Sequence, residues 1–316
     1  MRGLLTSRYL VAALAAACFL VFAPLIPGIA TAGNLSNLLW NMLPLAVVTI
    51  GETFVLITGG IDLSVTAIIA LCSVTGALVM NGRNGYLAGS AAAAPAAIFA
   101  MLLAGVLLGL VNGFAVTRLG MPPFIVTLTT MMFFGGFAVW LTRSANIDAL
   151  PPAFNRLSGV GTLAVAVVVA LAADWTLRRG IFGRWLYATG MNPRASLVAG
   201  VPVHAVTIAA YTVSGLLAGA ASVLYTARLE TGSPVLGQRI FLDVIAAAVI
   251  GGTSLFGGRG TVAGTLAGVL FVALLDNSLN LLGLSFFLVL TVKGAVILAA
   301  ALLDSAARRV LGEAVE

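Results

Sequence analysis

The stretch VLITGGIDLSVTAII, residues 55–69, places two glycines, an aspartate and a serine between two apolar runs. Gly59 and Gly60 fit the end of one helix, because glycine readily adopts the left-handed conformation found just after a helix. Asp62 fits the N-cap of the next helix, where its carboxylate can accept a hydrogen bond from the free backbone N–H of Ser64 or Val65. The stretch therefore predicts a capped break between two helices.

The rest of the chain is as apolar as the flanks of this break. Of its 316 residues, 61% are hydrophobic and 8% are charged, whereas about 25% are charged in a soluble domain. A soluble fold of this length could not bury so much apolar surface, so we predict an all-α polytopic membrane protein embedded in a lipid bilayer. The net charge of +6 does not indicate a nucleic-acid partner, because the arginines are scattered along the chain.

A helix needs about 20 mostly apolar residues to cross the hydrocarbon core. About ten segments qualify, and they fill the chain, so 1–316 is expected to form a single transmembrane domain. The segments are 9–29, 35–58, 62–81, 90–117, 122–142, 160–177, 203–227, 239–256, 261–282 and 285–304. Interruptions are expected near 59–62 and 251–258. The segment 239–256 either spans as a half-helix or re-enters, because its apolar run is short.

The arginines predict the orientation of the chain. If the N-terminus is inside, ten arginines lie in inner loops and five in outer loops. Positive residues concentrate on the cytoplasmic side of membrane proteins, so both termini are expected in the cytoplasm. The inner segment 178–203 is basic and unusually apolar for a connector, and the outer segment 143–159 is polar and broken by prolines.

The chain contains a faint internal repeat. ITGGIDLSV at 57–65 resembles VIGGTSLFG at 249–257, which makes Gly251 and Gly252 the counterparts of the first glycine pair. Two weakly related halves, about 35–142 and 203–304, are typical of transporters, whose pathways lie near discontinuous helices at the interface of repeats.

Polar side chains inside the apolar segments are candidates for a solute pathway, since intramembrane carboxylates usually face a cavity or a partner. Their hydroxyl, amide and carboxylate groups suit a neutral polyhydroxylated solute, and they suit helix–helix contact equally well. The candidates are Glu52, Asp62, Ser64, Asn112, Thr127, Thr129 and Asp243.

Several catalytic patterns are missing from the sequence. It has no GxxxxGK[ST] phosphate loop, no HExxH, no CxxC and no GxSxG, and it has one histidine and one lysine. Most catalytic constellations cannot be built from this set. We therefore expect no enzyme activity, no catalytic residue, no metal site and no cofactor held by this chain.

Five blocks of sequence, in order, resemble the membrane permease subunit of bacterial ribose-type sugar importers of the ATP-binding cassette class. They are GETFVLITGGIDLSV, MPPFIVTLTTM, FGRWLYATGMNPRASLVAGVPV, YTVSGLLAGAASVLYTARL and LDVIAAAVIGGTSLFGGRGTVAGTLAGVLFVALLDNSLNLLG. The resemblance covers about 35–304. It implies a bacterial inner membrane location, a periplasmic sugar-binding protein that delivers a ribose-, xylose- or galactose-like monosaccharide, a second permease chain that is identical or related, and ATPase subunits that bind ATP in place of this chain.

In the same resemblance, 178–203 corresponds to the segment that docks on the ATPase. The residues expected to couple there are Ala188, Gly190, Asn192, Arg194, Ala195 and Gly200. The outer segments 143–159 and 228–239 would receive the binding protein.

The chain departs from the family pattern at two positions. Thr66 replaces the last glycine of GGIDLSVG, and Glu52 stands where an uncharged residue is usual. An acid at this position changes the preferred solute, pairs with an arginine, or is silent when protonated. Two alternatives remain open: a sister permease for branched-chain amino acids or nucleosides, and an ion-coupled secondary transporter that uses the buried carboxylates.

Overall fold

The computed structural model describes residues 10–310, and its regular secondary structure in that range is helical apart from one isolated β-bridge. The α-helices are α1 (Leu10–Phe22), α2 (Ala32–Ile57), α3 (Val65–Met80), α4 (Ala93–Arg118), α5 (Pro123–Thr142), α6 (Pro152–Asn155), α7 (Val160–Arg179), α8 (Ile181–Met191), α9 (Pro193–Val198), α10 (Val203–Leu229), α11 (Phe241–Ile250), α12 (Val262–Leu281) and α13 (Phe286–Val310). A short 3₁₀ turn, Gln238–Ile240, precedes α11.

Six of the helices in the described range are long and apolar enough to cross a membrane: α2, α4, α5, α7, α10 and α12. The prediction of an all-α multi-pass membrane protein is confirmed. Each of the ten predicted segments contains a helix, but the count of ten spans is not confirmed, because α1 has 13 residues, α3 has 16 and α11 has 10. The two chain termini, predicted to be cytoplasmic, lie outside the described residues.

Helix α10 lies at the centre of the bundle and packs against α2, α3 and α4. Its closest neighbour is α4, which presents a glycine every fourth residue at Gly105, Gly109 and Gly113. A Cβ on Gly105 would overlap the carbonyl oxygen of Gly215 on α10. Small residues at this spacing let two apolar helices approach to backbone contact, which is how helices associate in lipid.

At one end of the bundle, three loops are hydrogen bonded into what we call the loop platform, residues 81–84, 147–149 and 231–232. Ile147 and Gly232 form the isolated antiparallel bridge, with N···O distances of 2.8 and 2.9 Å. The Asn81 side chain donates to the Asp148 carbonyl at 2.5 Å, and Thr231 Oγ1 donates to the Asp148 carboxylate at 2.8 Å. These bonds join 143–159 to 228–239, the two segments predicted to receive the binding protein.

At the opposite end lies 178–203, which was expected to be a connecting loop. It is helical through α8 and α9. The C-terminal end of α2 is at the same end of the bundle, because the Gly258 N–H donates to the Ile57 carbonyl at 2.9 Å and Gly190 of α8 contacts that same carbonyl. The first helix break thus lies beside the predicted coupling segment rather than halfway along the bundle.

The doubtful segment around α11 crosses the bundle by combining irregular and helical backbone. Gly232 lies in the loop platform, the Ser233 N–H donates to Ser73 Oγ of α3 at 3.3 Å, and Gly237 lies against Thr66 at the start of α3. Helix α11, ten residues and about 15 Å long, then continues to the far end. The irregular part is protected by burial against α3, which is the condition for non-helical backbone at membrane depth.

Both helix breaks close with the same backbone motif. After α2, the Gly59 N–H donates to the Leu56 carbonyl at 2.9 Å and the Gly60 N–H to the Val55 carbonyl at 3.3 Å, with Gly59 at φ +83°. This is a Schellman motif, and it confirms the glycine C-cap predicted for α2.

The second break has the same pattern one residue later than the sequence repeat suggested. The Gly252 N–H donates to the Val249 carbonyl at 2.9 Å and the Thr253 N–H to the Ala248 carbonyl at 3.0 Å. Gly252 has φ +87°, whereas Gly251 is the right-handed C-cap with φ −65°. The left-handed residues that correspond are therefore Gly59 and Gly252.

Candidate functional site: a buried carboxylate cluster and a helical coupling segment

Six buried polar residues from the first helix break and from α2, α4 and α10 form what we call the carboxylate cluster. Its members are Glu52, Asp62, Ser64, Asn112, Tyr211 and Ser214, each at most 1% exposed. Glu52 lies five residues, about 8 Å, before the end of α2. Its Oε1 accepts a hydrogen bond from the Asp62 backbone N–H at 3.1 Å. Glu52 therefore stabilises the break itself and does not pair with an arginine, which was one of the readings of its sequence position.

Asp62 accepts more hydrogen bonds than Glu52. Its Oδ1 accepts from the Ser64 N–H at 3.0 Å and from Ser64 Oγ at 2.6 Å, and its Oδ2 accepts from Ser214 Oγ at 3.3 Å. The predicted bond to the Ser64 N–H is confirmed, but the N-cap assignment of Asp62 is wrong. The N-cap of α3 is Ser64, whose side chain makes no cap bond because it turns back to the carboxylate.

Ser64 also links the break to α4. Its hydroxyl oxygen accepts from Asn112 Nδ2 at 2.7 Å while donating to Asp62. Three oxygen atoms in the cluster remain without a hydrogen-bond partner: Glu52 Oε2, Asn112 Oδ1 and Tyr211 Oη. Tyr211 lies directly against the break, since a Cβ on Gly60 would lie 2.6 Å from its hydroxyl oxygen.

The remaining residues predicted to line the solute pathway do not all lie at the carboxylate cluster. Thr127 lies at the edge of the cluster, where its hydroxyl donates to the Ile61 carbonyl at 3.1 Å and to the Pro123 carbonyl at 2.9 Å. Thr129 lies away from it: the side chain is exposed and bonds to the Ile125 carbonyl of its own helix. Two positions along a helix turn a side chain by about 200°, which moves Thr129 off the inner face.

Asp243 lies in a different cluster, with two charged residues of α12 and α13. Its carboxylate contacts Lys293 Nζ at 2.9 Å, and the same ammonium contacts Asp276 Oδ1 at 2.6 Å. Lys293 is 8% exposed, so the aspartates supply the partners that a buried ammonium requires. This ion triad fastens the short helix α11 to its neighbours and is separate from the carboxylate cluster.

The sequence argument missed three participants. Tyr211 and Ser214 lie within one of the quoted sequence blocks and Lys293 is the single lysine, but none of the three was predicted as a site residue. A tyrosine and a lysine inside apolar helices are signals in themselves, because polar groups in lipid need partners. The partners could not be named, since Lys293 and Asp243 are 50 positions apart.

The predicted coupling residues occupy two neighbouring helices. Asn192 separates α8 from α9, and its side-chain oxygen accepts from the Ala195 N–H at 2.9 Å as an N-cap. The Asn192 N–H donates to the Ala188 carbonyl at 3.1 Å. Arg194 is exposed on the first turn of α9, and Gly200 follows α9 with φ +83°. These residues form an exposed helical hairpin at the end of the bundle.

Gly190 joins this hairpin to both helix breaks. A Cβ on Gly190 would overlap the Ile57 carbonyl oxygen and lie 2.5 Å from the Gly258 nitrogen, and a Cβ on Gly257 would lie 2.9 Å from the Gly59 nitrogen. We call these five residues the glycine junction. The three backbones are therefore in direct contact, with no side chain between them.

Tyr187 adds a hydrogen bond beside the glycine junction. Its hydroxyl donates to the Gly260 carbonyl at 2.7 Å. Burial raises the pKa of Tyr187, and the nearby Asp174 carboxylate raises it further, while Arg178 lowers it. The phenol therefore stays a protonated donor at neutral pH. The ring of Phe182, on the same helix, stacks on Phe54 of α2 with centroids 6.2 Å apart.

An open groove of about 490 Å³ lies between α3, α5 and the irregular segment before α11. Its lining includes Thr66, Ala67, Met131, Gly135, Gln238 and Phe241. The volume is in the range of small-molecule sites, and Thr66 and Gln238 give an otherwise apolar surface two polar side chains. Within the described range, no group of three potential metal-ligating side chains was found.

Interrupted apolar helices around buried polar groups are a feature of membrane transport proteins. The model of the family described as "Branched-chain amino acid transport system / permease component" matches residues 34–301. The chain belongs to this family, which is a family of transport permeases rather than of enzymes.

Curated relatives agree with this assignment. A ribose import permease protein of Bacillus subtilis (strain 168) is 40% identical over 280 residues, covering 86% of this chain and 84% of the relative. A ribose import permease protein of Escherichia coli (strain K12) is 36% identical, with 90% and 89% covered. The xylose transport system permease protein of the same strain is 30% identical, with 88% and 86% covered. Comparison with solved structures gives no match. The resemblance inferred from the sequence blocks is confirmed.

Proposed function

We propose that this chain is the permease subunit of an ATP-binding cassette importer in a bacterial inner membrane, and that it passes a monosaccharide delivered by a periplasmic binding protein. The proposed solute class follows from the relatives, whose names refer to ribose and xylose. The chain itself would bind no ATP, because a partner subunit would hold the nucleotide. Both termini would lie in the cytoplasm.

The glycine junction carries this proposal. It ties an exposed helical hairpin, which a cytoplasmic ATPase can grip, to the ends of both interrupted helices. Packed elements of this kind move between discrete arrangements rather than deforming continuously. A movement of the hairpin driven by nucleotide binding would thus be transmitted to α2, α3 and α11, which is the requirement for alternating access.

The loop platform, at the end of the bundle opposite the hairpin, supports the proposed docking of the binding protein. The loop platform joins 143–159 to 228–239 through the Ile147–Gly232 bridge, so a binding protein docked there would contact the irregular segment that leads into α11. The groove lined by Thr66 and Gln238 begins beside that segment. A second permease chain facing it would close the groove into a path for the solute.

One further candidate is favoured by a specific observation. The description of the matching family refers to branched-chain amino acids, so a sister permease for such solutes shares the architecture and the coupling. The companion binding protein screens the solute first, so its measured preference between monosaccharides and branched-chain amino acids decides between the two.

The decisive experiment is reconstitution in proteoliposomes with the ATPase and the binding protein encoded beside this chain. We expect uptake of a monosaccharide that requires ATP and both partners. Arg194→Glu should abolish the stimulation of ATP hydrolysis by loaded binding protein. Arg118→Glu, the same charge change at the same end of the bundle but outside the hairpin, is the matched control and should retain it.

Two results would contradict the proposal. Uptake that persists without any ATPase would indicate an ion-coupled secondary transporter, in which the buried carboxylates carry the coupling ion. Normal stimulation in Arg194→Glu would remove the hairpin from the coupling route.

A further inference from the structure

We propose that Glu52 is a proton-binding site: its carboxyl group is neutral, with the proton on Oε2, while Asp62 beside it is the anion of the pair. The proposal concerns the chain alone and holds whichever solute it carries.

The first argument is charge balance. Glu52 and Asp62 are 0% and 1% exposed and are linked through the Asp62 N–H at 3.1 Å. In the described range, no basic side chain contacts either carboxyl group: their partners are the Asp62 N–H, the Ser64 N–H and two serine hydroxyls. Two neighbouring carboxylates in a site without a cation cannot both ionise, because each disfavours the charge of the other. One positive charge must therefore be bound.

The second argument is the unequal distribution of donors. Asp62 accepts three hydrogen bonds, on both of its oxygens, and it lies just before the N-terminus of α3, where a negative charge is favoured. Glu52 accepts one bond on Oε1, and its Oε2 has none. Hydrogen bonds from N–H and O–H groups stabilise the ionised form. The negative charge is thus placed on Asp62 and the proton on the bare oxygen of Glu52.

The third argument is the surroundings of that oxygen. The titratable groups that interact with Glu52 are the Asp62 carboxyl and, from α10, the Tyr211 hydroxyl. Tyr211 Oη, fully buried, has no hydrogen-bond partner either, so it donates no bond that would stabilise a negative charge on Glu52 Oε2.

The test compares Glu52→Gln with Asp62→Asn in the purified full-length chain in lipid. Infrared spectra at neutral pH should contain a carbonyl band of a protonated carboxylic acid that disappears in Glu52→Gln and persists in Asp62→Asn. Because glutamine reproduces a neutral acid, Glu52→Gln should keep the unfolding temperature of the wild type, while Asp62→Asn should lower it.

Three results would overturn the proposal. A band that disappears only in Asp62→Asn would place the proton on Asp62. A wild-type spectrum without the band, or an unfolding temperature that rises with sodium chloride but not with choline chloride, would indicate a bound metal cation instead. If Asp62→Asn fails to fold, the comparison of wild type with Glu52→Gln decides alone. None of these readouts uses transport, so failure here leaves the proposed import function standing.

Discussion

Gly190 on α8 lies in backbone contact with Ile57, the last residue of α2, and the Ile57 carbonyl simultaneously accepts the Gly258 N–H at 2.9 Å. A single carbonyl oxygen is thus shared by the exposed hairpin and by both helix breaks. Because a backbone carbonyl cannot rotate out of the way as a side chain can, the contact leaves no room for a side chain at Gly190.

Gly190→Ala should therefore damage both stability and coupling. Its Cβ would overlap the Ile57 carbonyl, and such overpacking costs about 1–3 kcal/mol. We expect a lower unfolding temperature in lipid and weaker stimulation of ATP hydrolysis in the reconstituted system. Gly161→Ala is the control, because a Cβ there meets the Leu157 side chain at 3.7 Å, an ordinary contact. A Gly190→Ala chain equal to Gly161→Ala in both measurements would refute the close contact.

The two threonines of α5 should respond differently to the same change. Thr127→Val removes a buried hydroxyl that bonds to Ile61 in the first break, so the free energy of unfolding should fall by about 0.5–1.5 kcal/mol. Thr129→Val changes an exposed side chain with an intrahelical bond and should stay within about 0.5 kcal/mol of the wild type. Thermal or denaturant unfolding of the two variants compares them directly, and equal losses would disagree with the placement of Thr127 at the break.

Lys293→Met should be among the most damaging single substitutions. It leaves the buried Asp243 carboxylate without a cation, while Asp276 is partly exposed, and breaking a buried ion pair costs about 3–5 kcal/mol. The triple variant Lys293→Met, Asp243→Asn, Asp276→Asn removes every charge and should recover much of the stability. A triple variant no more stable than Lys293→Met would show that the charges are not coupled.

Tyr187→Phe should change how stability depends on pH in the alkaline range. Burial raises the pKa of Tyr187, so above about pH 10 the unfolded chain releases a proton that the folded chain retains. Stability is full below the unfolded pKa and falls as pH rises through the folded one. The wild type should therefore lose stability more steeply than Tyr187→Phe in this range, as measured by unfolding temperature against pH. Parallel curves would place Tyr187 in solvent.

At neutral pH the same variant tests the bond to Gly260. The loss of one buried hydrogen bond lowers stability by about 1 kcal/mol. Tyr86→Phe, at a tyrosine that is 83% exposed, is the matched control and should have no measurable effect.

By itself, the sequence determined the class of the fold, the membrane as solvent and the position of the first break. These follow from quantities that are local in the chain: the length of apolar runs, and glycines whose left-handed conformation ends a helix whatever surrounds it. The same reasoning named Glu52, Asp62, Ser64 and Asn112, since an isolated polar residue in an apolar helix is visible without a partner.

Only the tertiary structure decided which polar groups meet. Thr127 and Thr129 look alike in the sequence, but the packing of α5 turns one toward the break and the other outward. Lys293 and Asp243 are far apart along the chain, and no local pattern links them. The contact between Gly190 and Ile57 exists because three backbones converge, and convergence is a property of how helices pack, which depends on surfaces distributed over the whole chain.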